Sequence, residues 1–381
     1  MKKLFIIFLI LYSLSLFAQK DPYLLQNFNK VNSPVLSVSF SPDGSCLLAG
    51  YNDGTGKLIR IDNEEYISTF TGHWKGIVAI EMAKTGAFVM TAGDNSVRIW
   101  TPEGKEIKGF GDHTTTIYSA DMDSAGKYVV AGAFNRTFKL MDVMKGGKAE
   151  DFRGHSDIAM TVCFNHSGTK IASASGKGEL WICDFASRQV ELKLIGQSQD
   201  IYCLDFNPDG TKLASGSKDK TINIYDLRAG KLISTYKGHN NWVMDVDFSP
   251  DGMHLLSCSV DQSIRLWEIS TGKTIYTFID HEDAVMDLAF SPDGKNFASA
   301  SRDKTIKIWR YSPEIFVDYY YRPQVVDEMK DKPEFLPKQK SESKADFEAR
   351  QAKANAIREE IYSRYYKKYL EDLKNGTLPS H

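Results

Sequence analysis

The sequence predicts an all-β chain closed into a ring of seven small four-stranded antiparallel sheets and followed by an α-helical tail. Three observations carry this reading. An opening position recurs along the 381 residues as Val31, His73, His113, His155, Gln197, His239 and His281, at intervals of 42, 40, 42, 42, 42 and 42. A turn glycine follows each one at nearly constant distance: Gly44, Gly86, Gly126, Gly168, Gly210, Gly252 and Gly294. Within each unit, four short apolar-alternating runs are separated by turn residues, the pattern of an antiparallel meander.

The unit at residues 238–278 shows the pattern best. Runs at Val243–Phe248, His254–Ser259, Ser263–Trp267 and Thr274–Phe278 are divided by Ser-Pro-Asp-Gly, Val-Asp-Gln and Ser-Thr-Gly-Lys. Proline presets one turn angle and glycine supplies a positive one. A single such sheet cannot bury both of its apolar faces; seven packed face to face around an axis bury all of them, as a seven-bladed β-propeller. The seventh unit ends after its third run, Ile306–Trp309, while Tyr23–Phe28 precedes Val31 as Ile275–Phe278 precedes His281. Residues 23–28 are therefore expected to supply the outer closing strand of the last blade, removing two open edges.

Gly238-His239, Ser-Pro-Asp-Gly at 249–252, Ser259-x-Asp261 and Leu266-Trp267-Glu268 resemble the WD-repeat signature, and the resemblance covers roughly residues 23–311. Trp267-Glu268, Trp309-Arg310, Tyr225-Asp226, Trp100-Thr101, Cys183-Asp184 and Met141-Asp142 stand where the family has Trp-Asp. The resemblance implies a buried structural hydrogen-bond chain in well-formed blades: His239, Ser259, Asp261 and Trp267 in the sixth, and His281, Ser301, Asp303 and Trp309 in the seventh. Other units depart from it. The second has Ala92 at the serine slot beside His73, Asp94 and Trp100. The third pairs His113 with Asn135 and Met141, the fourth pairs His155 and Ser175 with Lys177 and Cys183, and the fifth has Gln197, Ser217, Asp219 and Tyr225. Complete chains are thus expected only in the last two blades. The third and fourth are expected to rely on apolar packing, so that Asp261 should matter more to stability than Asn135.

Ser, His and Asp in one set invite comparison with a catalytic triad. Repetition at blade spacing, a tryptophan as fourth member and no nucleophile-elbow sequence favour a structural role, so no catalytic residue is expected. Histidines on successive blades are too far apart for one coordination sphere, and no metal or cofactor is expected. The family resemblance implies protein docking on the face formed by the opening loops and the turns between second and third strands. Trp74, Phe134, Asp200, Lys218, Trp242 and Arg302 occupy that face as candidate partner contacts, the two tryptophans either exposed or packed between blades.

At the N-terminus, Lys2 and Lys3 precede an apolar run, Leu4–Ala18, and polarity returns at Gln19. That is the pattern of a secretory signal over residues 1–18, too short for a spanning helix, with an uncleaved membrane anchor as the alternative. The propeller would then occupy 19–311 in the periplasm or outside the cell. Five cysteines, Cys46, Cys163, Cys183, Cys203 and Cys258, are an odd number without tight spacing and read as buried thiols, with one bridge left open. A net charge of -2, from 47 basic and 49 acidic side chains, disfavours nucleic acid as a partner.

Residues 312–342, with Pro313, Pro323, Pro333 and Pro337 and the cluster Tyr319–Tyr321, read as a linker. Residues 343–376 read as an amphipathic helix ended by Gly376, and 377–381 as a disordered end. Ile357, Ile361, Tyr365, Tyr369 and Leu373 form one apolar stripe on that helix, which needs a cover: the propeller, another subunit, or a second copy through self-association. The function expected is a non-enzymatic, exported protein-interaction scaffold or assembly subunit. An exported small-molecule or glycan binder, or an enzyme using the central channel, are the alternatives.

Overall fold

The computed structural model describes residues 21–379 except 30, 112, 135, 147, 148, 154 and 340. The apolar run at 4–18, Asn135 and the last two residues lie outside the described residues, as does any test of the roles expected for them. Seven four-stranded antiparallel sheets form, each built from four strands adjacent in order except the last. In that sheet Leu24–Phe28 lies against Ile306–Arg310, with Leu24 opposite Trp309 and Phe28 opposite Ile306, so the two ends of the ring are woven into one blade. The innermost strand of every blade contacts those of its two neighbours, the first and seventh included, and the ring is closed.

The seams hold the core. Seven apolar clusters are present, one between each pair of adjacent blades, because each sheet offers alternate residues to each neighbour. Between blades five and six, for example, Ala214 and Ile224 meet Val243, Val246 and Leu255, all fully or almost fully buried. At each first turn the glycine takes a left-handed angle, φ 70° at Gly252. The five cysteines are free, four of them buried.

The cluster between blades six and seven extends outward into the tail, where the structure departs from the sequence reading. The segment expected to be a linker is a helix, α1, Pro313–Met329. Its start is regular: Ser312 caps it by accepting from Glu314 N–H, and Pro313 in the first turn removes only an N–H that has no helical partner. Pro323 inside the helix forfeits one hydrogen bond, at a cost of about 3 kcal/mol; burial of Ile315, Phe316, Val317, Tyr320, Tyr321 and Val325 offsets it. A single 3-10 turn at Pro333–Phe335 leads to α2, Lys344–Asn375, capped by Ser343 and ended by Gly376 in the left-handed region. The stripe on α2 packs back on α1 and on blades six and seven, so the propeller is its cover. No helix among the described residues is long and apolar enough to cross a membrane.

Candidate functional site

One local device repeats in all seven blades and shapes the face of the opening loops. After the first residue of each innermost strand the pairing register slips by one, between Val35 and Ser37 in blade one and at the matching place in the other six. The residue skipped is Leu36, Val78, Tyr118, Met160, Tyr202, Met244 or Met286. A bulged residue is released from the strand's alternation and re-aimed. These seven line the wall of a central channel of about 1410 Å³. Every one is apolar or aromatic, making a collar at the channel mouth.

The candidate contacts surround this collar. Trp74 is 68% exposed: Asp94 Oδ2 accepts its backbone N–H at 3.1 Å, and Lys75 Nζ stands 4.7 Å above the ring. Phe134 is 52% exposed and leans on the collar residue Tyr118, ring centroids 6.1 Å apart. Trp242 is 40% exposed beside Tyr202 at 5.8 Å, with Lys218 Nζ 5.2 Å over its ring and 3.2 Å from Asp200 Oδ2. Asp200, Lys218 and Trp242 are therefore one cluster across blades five and six, while Trp74 stands apart on blade two. Arg302 is exposed at the mouth, its backbone N–H donated to Ala284 O at 2.9 Å. Trp74 is therefore exposed, while Trp242, partly exposed, leans across the seam onto blade five.

The buried polar chains hold these loops, with a correction to the serine. In blade six Trp267 Nε1–H donates to Ser257 Oγ at 2.8 Å, Ser257 donates to His239 Nε2 at 2.7 Å, and His239 Nδ1–H donates to Asp261 Oδ2 at 3.0 Å. Asp261 also accepts the N–H of Asn240, fixing the opening loop. Blade seven repeats this with Trp309, Ser299, His281 and Asp303. The expected serines, Ser259 and Ser301, lie two residues on, facing the same side, but at the strand end, where their hydroxyls accept from Asp261 and Asp303 N–H.

A shift toward the strand interior also corrects the other blades, by one residue in blade two and by two in blades four and five. Blade two is complete, with Thr91 between Trp100 at 2.8 Å and His73 at 2.9 Å. Blade four is wired too: Ser173 meets His155 at 2.9 Å, Glu179 replaces the turn aspartate by accepting Ser156 N–H, and Trp181 stacks on His155 at 4.0 Å. In blade five Ser215 donates to Gln197 at 2.6 Å. Burial holds the His239 and His281 rings neutral, below their ordinary range. Burial alone would raise Asp261 and Asp303, but the histidine bonds and those from Ser263, Thr305 and the loop N–H groups outweigh it and hold both well below the usual carboxylate range. Ser257 is wholly buried with both neighbouring rings engaged, which leaves no path for a substrate to its oxygen. Among the described residues no three His, Cys, Asp or Glu side chains are grouped to hold a metal ion.

On the opposite face the tail has its own anchor, which the sequence reading passed over. His254 follows a Ser-Pro-Asp-Gly turn and pairs in register with Glu268, the residue standing for the aspartate of Trp-Asp. Both are fully buried. Tyr369 donates to Glu268 Oε1 at 3.0 Å and Tyr320 to Oε2 at 2.8 Å; His254 Nε2 lies 2.7 Å from the Tyr369 oxygen and Nδ1 2.7 Å from Tyr311. With Tyr369 donating to Glu268, His254 donates from Nε2 and accepts from Tyr311. Phe316 stacks between His254 and Tyr369, centroids at 4.3 and 5.1 Å. The tail thus covers the side of blades six and seven away from the collar, which stays open.

A closed ring of bulged four-stranded blades with wired loops around an open mouth defines a β-propeller with an exposed, partly apolar face. The chain belongs to the WD domain, G-beta repeat family, which matches residues 23–59, 64–101, 104–142, 188–226, 230–268 and 272–310. The stretch without a match, 143–187, holds most of blade four, where Glu179 and Trp181 have moved out of the usual slots. Relatives include Protein tipD of Dictyostelium discoideum, 28% identical over 37% of this chain and 23% of that protein. The U3 small nucleolar RNA-associated protein 15 homolog of Xenopus tropicalis is 22% identical over 42% of this chain and 40% of its own length. The serine-threonine kinase receptor-associated protein of Dictyostelium discoideum is 27% identical over 35% and 47%. The match thus spans less than half of each of these relatives.

Proposed function

We propose that this chain is a non-enzymatic scaffold that binds protein partners through the opening-loop face, and that residues 1–18 export it to the periplasm or cell surface. The collar carries the reading. The bulge frees these seven side chains from the strand's alternation, yet all seven are apolar or aromatic; Val78 and Met244 also lean on the seams, and the others face the channel mouth, near exposed Trp74, Phe134 and Trp242. Methionines at three of them suit an adaptable apolar contact, and tryptophan is a frequent binding hot spot. Near-balanced charge argues for protein rather than polyanion. The alternative of a small ligand or glycan rests on the Tyr202–Trp242 pair beside the channel.

Affinity purification of the full chain from its own cell envelope, beside a Met160→Glu/Met286→Glu variant, tests this. Partner proteins should be recovered with the wild type and lost with the variant at unchanged thermal stability. Equal recovery would overturn the docking face, and recovery of the chain with an intact N-terminus from the cytoplasm would overturn export.

A further inference from the structure

Below the collar, six carboxyl side chains line the channel: Glu81, Asp121, Asp205, Asp245, Asp247 and Asp287. All sit on innermost strands, whose channel edge has no neighbouring strand. Each accepts a backbone N–H of the next blade: Glu81 from Met122 at 3.2 Å, Asp121 from Phe164 at 2.6 Å, Asp205 from Phe248 at 2.7 Å. Asp245 accepts from Leu288 at 3.0 Å, Asp247 from Phe290 at 2.8 Å, and Asp287 from Val38 at 2.7 Å, which joins blade seven to blade one. Within this belt the Glu81 carboxyl neighbours that of Asp121, and the Asp245 carboxyl that of Asp287.

We propose that these carboxyl groups form a proton-holding clasp along the inner edge of the ring, and that their ionisation loosens the seams beneath the docking mouth. Two carboxyl groups held side by side at a channel wall favour one shared proton over two negative charges, and the two pairs lie on opposite sides of the ring, at blades two and three and at blades six and seven. The cations facing the belt are few: Lys84 and Arg302, with His166 held toward neutrality by burial and by Lys84. The other titratable neighbours are Asp123, Tyr118, Tyr202 and the thiols of Cys163, Cys203 and Cys258, and none of these supplies positive charge. The channel wall takes these half-buried carboxyls out of bulk water, which pushes Asp247 and Asp287 up to about 7 and Asp121 up to about 6 and raises Glu81, Asp205 and Asp245 well above the usual range, against the pull of the N–H bonds they accept. A carboxyl whose folded value is raised costs nothing below the unfolded value near 4, and loses stability as pH rises from there through the folded value.

Asp245→Asn and Glu81→Gln each put a permanent N–H donor into one pair and so mimic its protonated state. Thermal unfolding of the full chain and of each variant at pH 5.5 and pH 8.5 tests the clasp. Each variant should match the wild type at pH 5.5 and exceed it in Tm by roughly 2–4 °C at pH 8.5. A Tm difference independent of pH would overturn the proposal. Infrared difference spectra of the wild type alone should show a protonated carboxyl carbonyl in the folded protein at pH 6; its absence would overturn the proposal without any variant.

Discussion

Blades one and six have the same four strands, the same bulge and the same turn, yet their interiors are held by different chemistry. Counting from the opening position, blade six places His239, Ser257 and Trp267 where blade one has Val31, Ala49 and Ile59. In blade one these pack with the buried Tyr51 and Val35 against blade seven, with no polar chain among them. The ring therefore takes its geometry from strand alternation and turn chemistry, and the polar chain is an optional fastening that fixes loops. Where present it ties the opening loop to the turn through Asp261, and adds a response to pH that an apolar interior lacks.

The largest effect should come from the apolar blade. Ile59→Ala removes a buried side chain from a seam with little room to collapse and should cost about 2–4 kcal/mol in urea unfolding, equally at about pH 3 and pH 7.5. Asp261→Ala should cost about 2–3 kcal/mol, since it leaves the His239 ring N–H and the Asn240 N–H without their acceptor. Its cost should shrink as pH falls below the ordinary carboxylate value near 4. The Asp261 carboxyl is held low in the folded state, so its contribution is present above the unfolded value and lost on acidification. If the two variants show the same pH response, the contrast between the blades fails.

A finer measurement separates the two serines. Ser257→Ala should cost about 1–2 kcal/mol because it strands both Trp267 Nε1–H and His239, while Ser259→Ala, losing one turn contact, should cost about half as much. The smallest signal needs no mutation. Nitrogen-15 NMR at pH 7 should find His239 and His281 as the Nδ1–H tautomer and His254, at the tail anchor, as the Nε2–H tautomer; burial holds His254 down to about 4. Identical tautomers at the two places would refute the hydrogen-bond directions assigned to one of them.

Much of this was legible in the sequence because period and turn glycines are local signals. Ring, blade count and closing pair follow from them, whereas the sequence left open whether Trp74 and Trp242 are exposed or packed between blades. The serine slot was misread because Ser257 and Ser259 share a face and a residue type; only depth along the strand tells them apart. The collar was written as two apolar residues in succession, Val243-Met244 or Val285-Met286, where alternation calls for one, but a bulge is visible only in the pairing. Helix α1 was hidden by its prolines, one of which sits where a helix start favours it. Glu268 looked like loss of an aspartate, and its purpose appears only with Tyr320 and Tyr369 in place.

The closing strand has a consequence in time. Leu24–Phe28 leaves the ribosome before every other strand of the ring, and its partner, Ile306–Arg310, after all the others. Until both are present the seventh blade lacks a strand, the first blade lacks a neighbour, and the belt bond from Asp287 to Val38 cannot form. Joining two ends so distant carries a loop-closure cost that only the finished ring repays. Synthesis therefore yields an open arc whose end seams stay exposed, and the molecule acquires its full stability in one late step.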